Sequence, residues 1–344
     1  MLFRSPTASP SPSSPFVLIA VLCTNIGSAA TMLGNPVGIY IGNKAGFTFS
    51  QFFLGAAPVA FLALVVTTLI VMLWFRKDIQ GMSQAMADHR AMHHGLGPLI
   101  RLPYRRGLIV LLATVGVIAF HHKIESFLGP SGVENKTAFL IVTPLLIAGL
   151  LMIYRPHRAR HYVEHEVEWW TLLFFMLLFA IAGGLEEQGI TRNVADKLMA
   201  ASKDGPGPMT PFVIALSSVG SAFVDNIVFV AAFTPVIQAL VERSADYSVL
   251  WWAMLFGACF GGNITAVGST ANIVALGMLE RRSHAYIGFL EWLKIGLLVG
   301  AASGLLVWGL LSVMPMPHPV SYRASGPAPA GTPRGPYLSP LPHD

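Results

Sequence analysis

Residues 217–235 read SSVGSAFVDNIVFVAAFTP, with one carboxylate, Asp225, beside one amide, Asn226, and apolar or small residues on both sides. An aspartate at the centre of a membrane span costs about 2.5–3.5 kcal/mol on insertion scales, so such residues face a cavity and mark ion or proton paths. An apolar run interrupted by a polar pair reads as the two arms of a re-entrant hairpin rather than as one span. The plainer alternative for Asp225 is a cap on the second arm.

The rest of the chain agrees with a membrane setting. Of its 344 residues 54% are hydrophobic and 11% charged, and the mean hydropathy is +0.62, which excludes an ordinary soluble protein. Apolar stretches run over 16–42, 52–75, 107–122, 137–154, 169–186, 210–241, 249–278 and 290–313. The expected fold class is therefore an all-α polytopic membrane protein with inverted repeats, broken helices and a re-entrant hairpin, with the lipid bilayer as its first partner. A net charge of +5 does not signal nucleic acid, because Lys and Arg fall in short clusters between apolar runs. Cys23 and Cys259 each lie alone in apolar text and read as packing residues rather than as a disulfide or a metal knuckle.

If 210–241 enters and leaves on one side, the loops at 76–106, 155–167 and 279–289 share a face. That face carries eleven Lys and Arg against seven on the other, which places it in the cytoplasm of a multi-pass protein of a bacterial-type inner membrane.

Two other apolar runs are interrupted, and by related text. GSAATMLGNPVGI at 27–39 aligns with GGNITAVGSTANI at 261–273 at a constant separation of 234 residues, matching Gly27 with Gly261, Thr31 with Thr265, Gly34 with Gly268 and Ile39 with Ile273. The topology sends the first copy outward and the second inward, so the copies are inverted. Paired broken helices of this kind place substrate near the midplane, where unwound backbone and half-helix ends supply partial charges. The plainer reading is that glycines permit close helix packing. Asn25, Thr31, Asn35, Asn263, Thr265, Ser269, Thr270 and Asn272 supply neutral oxygens and amides at the two breaks.

Other chemistry is weaker. Glu186 and Glu187 close an apolar helix and read chiefly as solvated interface residues. His89/His93 and His157/His161/His165 have the four-residue spacing of metal ligands, but they lie in arginine-bearing loops and read as interfacial, so no metal site is assigned. No phosphate loop, nucleophile elbow or HExxH is present, and Asp225 has no second intramembrane aspartate to form a dyad, so no enzyme is expected.

SAFVDNIVFVAAFTPVI at 221–237, GACFGGNITAVGSTANIVALG at 257–277 and FLEWLKIGL at 289–297 resemble the second half of the ArsB/NhaD permeases of the ion transporter superfamily. WTLLFFMLLFAIAGGLEEQGI at 170–190 and TNIGSAATMLGNPVGIYIG at 24–42 resemble further family segments, so the likeness covers about residues 16 to 313, with the melanosomal P protein branch nearest in wording. The resemblance implies secondary transport of arsenite or antimonite, of sodium against protons, or of anions, by a homodimer with elevator-like motion. It implies a hairpin motif at Ser221, Asp225 and Asn226 and a broken-helix motif at Gly262, Asn263, Thr265, Gly268, Ser269 and Asn272. In the first repeat Asn25, Gly27, Thr31, Gly34, Asn35 and Pro36 take the corresponding places.

Two departures stand out. Where the family reads GDPPNI this chain has GNPVGI, so Asn35 replaces an acidic residue and Gly38 an amide. Where the family has several helices and a first hairpin before TNIG, a Ser/Pro-rich leader stands here, and the chain is expected to be N-terminally truncated.

The expected organisation is a disordered leader at 1–15, the remainder of a first transport repeat at 16–75, and a cytoplasmic loop at 76–106. Scaffold helices and a linker follow at 107–168, then a second transport repeat at 169–313 and a disordered, proline-rich tail at 314–344. The expected function is secondary active transport of an inorganic ion or small anion, coupled to H+ or Na+, with no other cofactor. Arsenite or antimonite efflux is one substrate reading. A dicarboxylate is disfavoured by the lack of paired Ser-Asn-Thr motifs, and a non-transporting scaffold or partner subunit is the rival.

Overall fold

The computed structural model describes residues 14–81, 83–84, 104–119, 145–150, 205–283 and 287–318, with separate short stretches between 152 and 200. Every regular element among them is helical: α1 (Ser14–Ser28), α2 (Pro36–Ala45), α3 (Phe49–Trp74), α4 (Tyr104–Ala119), α5 (Pro206–Phe223), α6 (Asn226–Arg243), α7 (Val249–Gly261), α8 (Thr270–Ser283) and α9 (Phe289–Val313), plus the short helix Pro156–His161 and a 3-10 turn at Ala245–Ser248. The chain is an all-α protein in which α3, α6 and α9 are long and apolar enough to cross a membrane. The expectations for His89, His93, His165, Glu186 and most of the 137–154 and 169–186 spans lie outside the described residues, whereas Glu187 is exposed.

Local chemistry sets the helix ends. Asn35 caps α2 by accepting from Gly38 N at 2.7 Å, Pro36 supplies the fixed φ of the first helical position, and Gly46 at φ 74° ends the helix in the left-handed region. α3 opens with a capping box, Gln51 N donating to Thr48 Oγ1 at 3.2 Å and Thr48 N to Gln51 Oε1 at 2.9 Å.

The breaks between α1 and α2 and between α7 and α8 are the same structure twice. Turn bonds Ala29 N to Ile26 O, Ala30 N to Gly27 O, Gly34 N to Thr31 O and Ile39 N to Asn35 O recur as Asn263 N to Phe260 O, Ile264 N to Gly261 O, Gly268 N to Thr265 O and Ile273 N to Ser269 O. All four pairs keep the separation of 234 residues. Packing follows the same relation, because α1 lies on α3 as α7 lies on α9, and α1 touches α8 as α7 touches α2.

The repeats are inverted. Gln51 at the start of α3 donates from Nε2 to His318 O just beyond the end of α9 at 3.4 Å, so these two equivalent helices run antiparallel. Both feet of the α5–α6 hairpin lie at that same end, where a cavity of about 400 Å³ is lined by Pro206, Thr210, Ser248, Leu311, Met316 and His318. The hairpin thus enters and leaves on one side.

The core is built around α7, whose Leu250, Trp251, Trp252, Met254, Leu255, Phe256 and Phe260 are all buried. Leu54, Phe61, Leu69 and Leu73 of α3 and Leu290, Leu297 and Leu305 of α9 are exposed, the pattern expected of surfaces that meet lipid. The first residues of the tail, Met314–His318, were expected to be disordered, but they pack. Trp252 Nε1 donates to Pro317 O at 3.3 Å, Ser248 Oγ lies 2.7 Å from His318 Nδ1, and Pro317 sits against Gly55. Proline-rich composition removed backbone donors but left carbonyls and ring faces for the indole to use.

Candidate functional site

The two arms of the hairpin meet at Val224-Asp225, and this tip lies on the second break. α6 begins at Asn226 and α8 at Thr270, so two positively polarised helix N-termini converge there. The Asp225 carboxylate spans both. Its Oδ1 accepts from Ile227 N at 3.1 Å, capping α6, while its Oδ2 accepts from Thr270 N at 3.1 Å and Thr270 Oγ1 at 2.6 Å on α8. Of the two roles the sequence left open for Asp225, the fold shows the cap on the second arm.

The C-terminal ends of α5 and α7 meet beneath it. Their carbonyls are taken up by short side chains: Ser221 Oγ donates to Ala258 O at 2.7 Å, Ser218 Oγ to Gly257 O at 3.1 Å, and Thr265 Oγ1 to Ala222 O in a short contact. Gly268 is required by space here, since a Cβ on it would lie 2.8 Å from Gly262 O and 2.9 Å from Ser221 O. Gly34 is its equivalent in the first break, where a Cβ would collide with Ser28 O.

Three asparagines close the centre. Asn25 Nδ2 donates to Asn263 Oδ1 and Asn272 Oδ1, both at 2.8 Å, and Asn25 Oδ1 accepts from Ser269 Oγ at 3.2 Å. Asn263 Nδ2 donates to Leu22 O at 3.1 Å, and Asn272 Nδ2 to Gly262 O at 2.8 Å and Thr265 O at 3.0 Å. All of these side chains are buried. Their amides bond to one another, to the unwound backbone at Gly262 and Thr265 and to Leu22 O of α1, so the network joins the two breaks across more than two hundred residues of sequence.

Asn35 stands apart from that knot. Its Oδ1 caps α2, and its Nδ2 donates to Ser28 Oγ at 2.8 Å and Cys259 Sγ at 3.3 Å. Gly27 borders open space, and Thr31 and Asn226 are half-buried with side chains that make no hydrogen bond among the described residues. The fold therefore sorts the sequence candidates. Ser221, Asp225, Gly262, Gly268, Thr265 and Asn272 meet at the second break, with Asn226 beside them on the hairpin tip; Asn25, Asn263 and Ser269 link that break to the first; Gly27, Thr31, Gly34 and Asn35 lie on the first.

Three contributors escaped residue-type reading. Ser28 bridges Asn25 O and Asn35 Nδ2, Trp292 Nε1 donates to Asn263 O at 3.0 Å, and Cys259 accepts from Asn35. The 234-residue separation carried the signal for Cys259, because it registers that cysteine with Asn25.

The chain is similar to several known proteins over most of its length. It is 31% identical over 304 residues to a 46 kDa membrane protein of Mycobacterium leprae, covering 86% of this chain and 67% of that one. It is 32% identical over 296 residues to an uncharacterized transporter of Mycobacterium tuberculosis, covering 85% of this chain and 65% of the relative. It is 26% identical over 355 residues to the P protein of Homo sapiens, covering 81% of this chain and 41% of that protein. The chain thus spans about two thirds of the length of these bacterial relatives. The model of the CitMHS family, described as citrate transporter, matches residues 6–257 and again 194–329. With its two inverted broken helices and hairpin, this integral multi-pass membrane protein belongs to the CitMHS citrate transporter family.

Proposed function

We propose that the protein is a secondary active transporter that carries a small anion or inorganic ion across the membrane, coupled to H+ or Na+ through Asp225. The observation that carries this reading is the position of that carboxylate. It is held at the convergence of two helix N-termini, where a change in its charge alters what both helix ends face. The family's description as citrate transporter puts citrate in the first group of compounds to test. The carbonyls of Ser221 and Gly268, gathered around two glycines, are oxygens of the kind that replace a cation's water. Asn226 and Thr31, with unengaged polar atoms, are the side chains assigned to substrate. A homodimer is the assembly this reading assumes.

The test is uptake by vesicles holding the full-length protein under an imposed proton or sodium gradient, with labelled citrate, arsenite and sodium as separate solutes. Accumulation of one of them that collapses with an ionophore supports the proposal. Uptake indifferent to both gradients overturns coupling, and absence of uptake for all three favours a partner subunit.

A further inference from the structure

The two broken helices differ in what their first residues offer. At the separation of 234 residues Thr270, which opens α8, is the counterpart of Pro36, which opens α2. Thr270 has an N–H and a hydroxyl, and both donate to Asp225 Oδ2, at 3.1 Å and 2.6 Å. Pro36 has neither group. Only the second break can therefore seat a carboxylate in this way.

That seat is filled by the protein itself. The first four N–H groups of a helix have no partner within it, and they are what draws anions to a helix N-terminus. In α8 all four are engaged. Thr270 N donates to Asp225 Oδ2, Ala271 N to Ser269 Oγ at 3.3 Å, and Asn272 N and Ile273 N to Ser269 O at 3.0 Å and 3.3 Å. In α6 Ile227 N and Phe229 N donate to Asp225 Oδ1 and Asp225 O.

No cationic side chain in these helices stands at the breaks to hold an anion instead. α1, α5 and α7 contain no Lys, Arg or His, and α2, α6 and α8 carry Lys44, Arg243, Arg281 and Arg282 in their last turns, at the ends away from the breaks. Coverage is not the obstacle, since Asp225 is half-buried and Thr270 exposed. An arriving carboxylate has to displace the protein's own and lie beside its charge, a repulsion that a low dielectric strengthens.

We infer that Asp225 is a specificity-determining residue: its carboxylate occupies the donors that α6 and α8 would present to an anion, so the protein accepts solutes without negative charge and turns away free carboxylates such as citrate. The inference rests on the transport reading and narrows its solute to inorganic cations and uncharged species.

Citrate binding to the purified full-length protein in detergent, titrated calorimetrically as the choline salt, tests this. The parent is expected to bind citrate weakly. Asp225→Asn and Asp225→Ser keep a side-chain cap on α6, because both residues are strong N-caps, but they remove the charge and leave Thr270 N and Oγ1 without a carboxylate. Both variants are expected to bind citrate about tenfold more tightly than the parent, the gain that one charge-assisted hydrogen bond commands. Adding Thr270→Pro, which copies the first repeat and suits the first position of a helix, is expected to abolish that gain. Citrate binding by the parent as tight as that of the neutral variants overturns the inference, and so does a failure of both variants to gain affinity. A gain that survives Thr270→Pro places the anion away from these donors and overturns it as well. Equilibrium binding needs no gradient, so uptake indifferent to both gradients refutes coupling while the exclusion of anions stands or falls on the titration.

Discussion

Asn272→Ala separates a structural tie from a substrate ligand. The substitution removes two donated bonds, to Gly262 O and Thr265 O, and the acceptor for Asn25 Nδ2, all within a buried cluster. Intramembrane side-chain hydrogen bonds are worth about 0.6 kcal/mol each on average and soluble ones about 1, so three account for about 2–3 kcal/mol. The carbonyls and amide left behind are desolvated without partners, which brings the loss to about 3–5 kcal/mol. For a chain of this size that corresponds to a fall of about 4–7 °C in unfolding temperature. The assay is thermal unfolding of the purified full-length protein in detergent, without substrate, beside Ser312→Ala, whose hydroxyl only bonds back to Trp308 O on an exposed turn. A residue that served substrate alone would leave the substrate-free melting temperature alone when replaced. Melting of Asn272→Ala within a degree of the parent therefore refutes the assignment of Asn272 to the knot.

Other expectations follow from the same contacts. Gly268→Ala forces a methyl against Gly262 O and Ser221 O and is expected to cost about 1–3 kcal/mol, read as lowered melting temperature and poorer recovery from membranes. Trp292→Phe keeps most of the buried ring but deletes the bond to Asn263 O, for a loss of about 1–2 kcal/mol in the same assay, and an unchanged melt refutes that bond's contribution. His318→Ala releases the extended segment from Ser248 and is expected to destabilise by about 1 kcal/mol, with faster protease cleavage after Val313 as the second readout. Cysteines placed at Lys44 and Ser244 are expected to react from one side of intact cells and a cysteine at Arg76 from the other; reaction of all three from one side contradicts the inverted arrangement.

Much of this architecture was legible because membrane helices announce their interruptions. Gly, Asn and Thr in 29–35 and 262–269 break otherwise apolar runs, and the fold places both breaks there, with the same four turns in the same register. The hairpin tip was legible from Asp225 alone, since an isolated carboxylate in such text demands a special position. Which polar residues stay open was not legible. An asparagine at a break reads as a ligand by type, yet Asn25 meets Asn272 across 247 positions of sequence, and only that meeting shows the donors to be occupied. Cys259 was read by type as packing, although the repeat registers it with a polar partner, and the fold gives its sulfur a hydrogen bond. Pro317 and His318 were hidden by their proline-rich setting, because anchoring there uses a carbonyl and a ring rather than a helix.

The central claim is that Asp225 couples transport, and gradient-driven flux in proteoliposomes of the full-length protein, wild type beside Asp225→Asn, tests it most directly. The expected result is accumulation by the wild type that disappears in Asp225→Asn, while the variant reaches the membrane in equal amount and melts within a few degrees of the parent. Accumulation by Asp225→Asn that still follows the proton or sodium gradient contradicts the claim and returns Asp225 to the role of a helix cap.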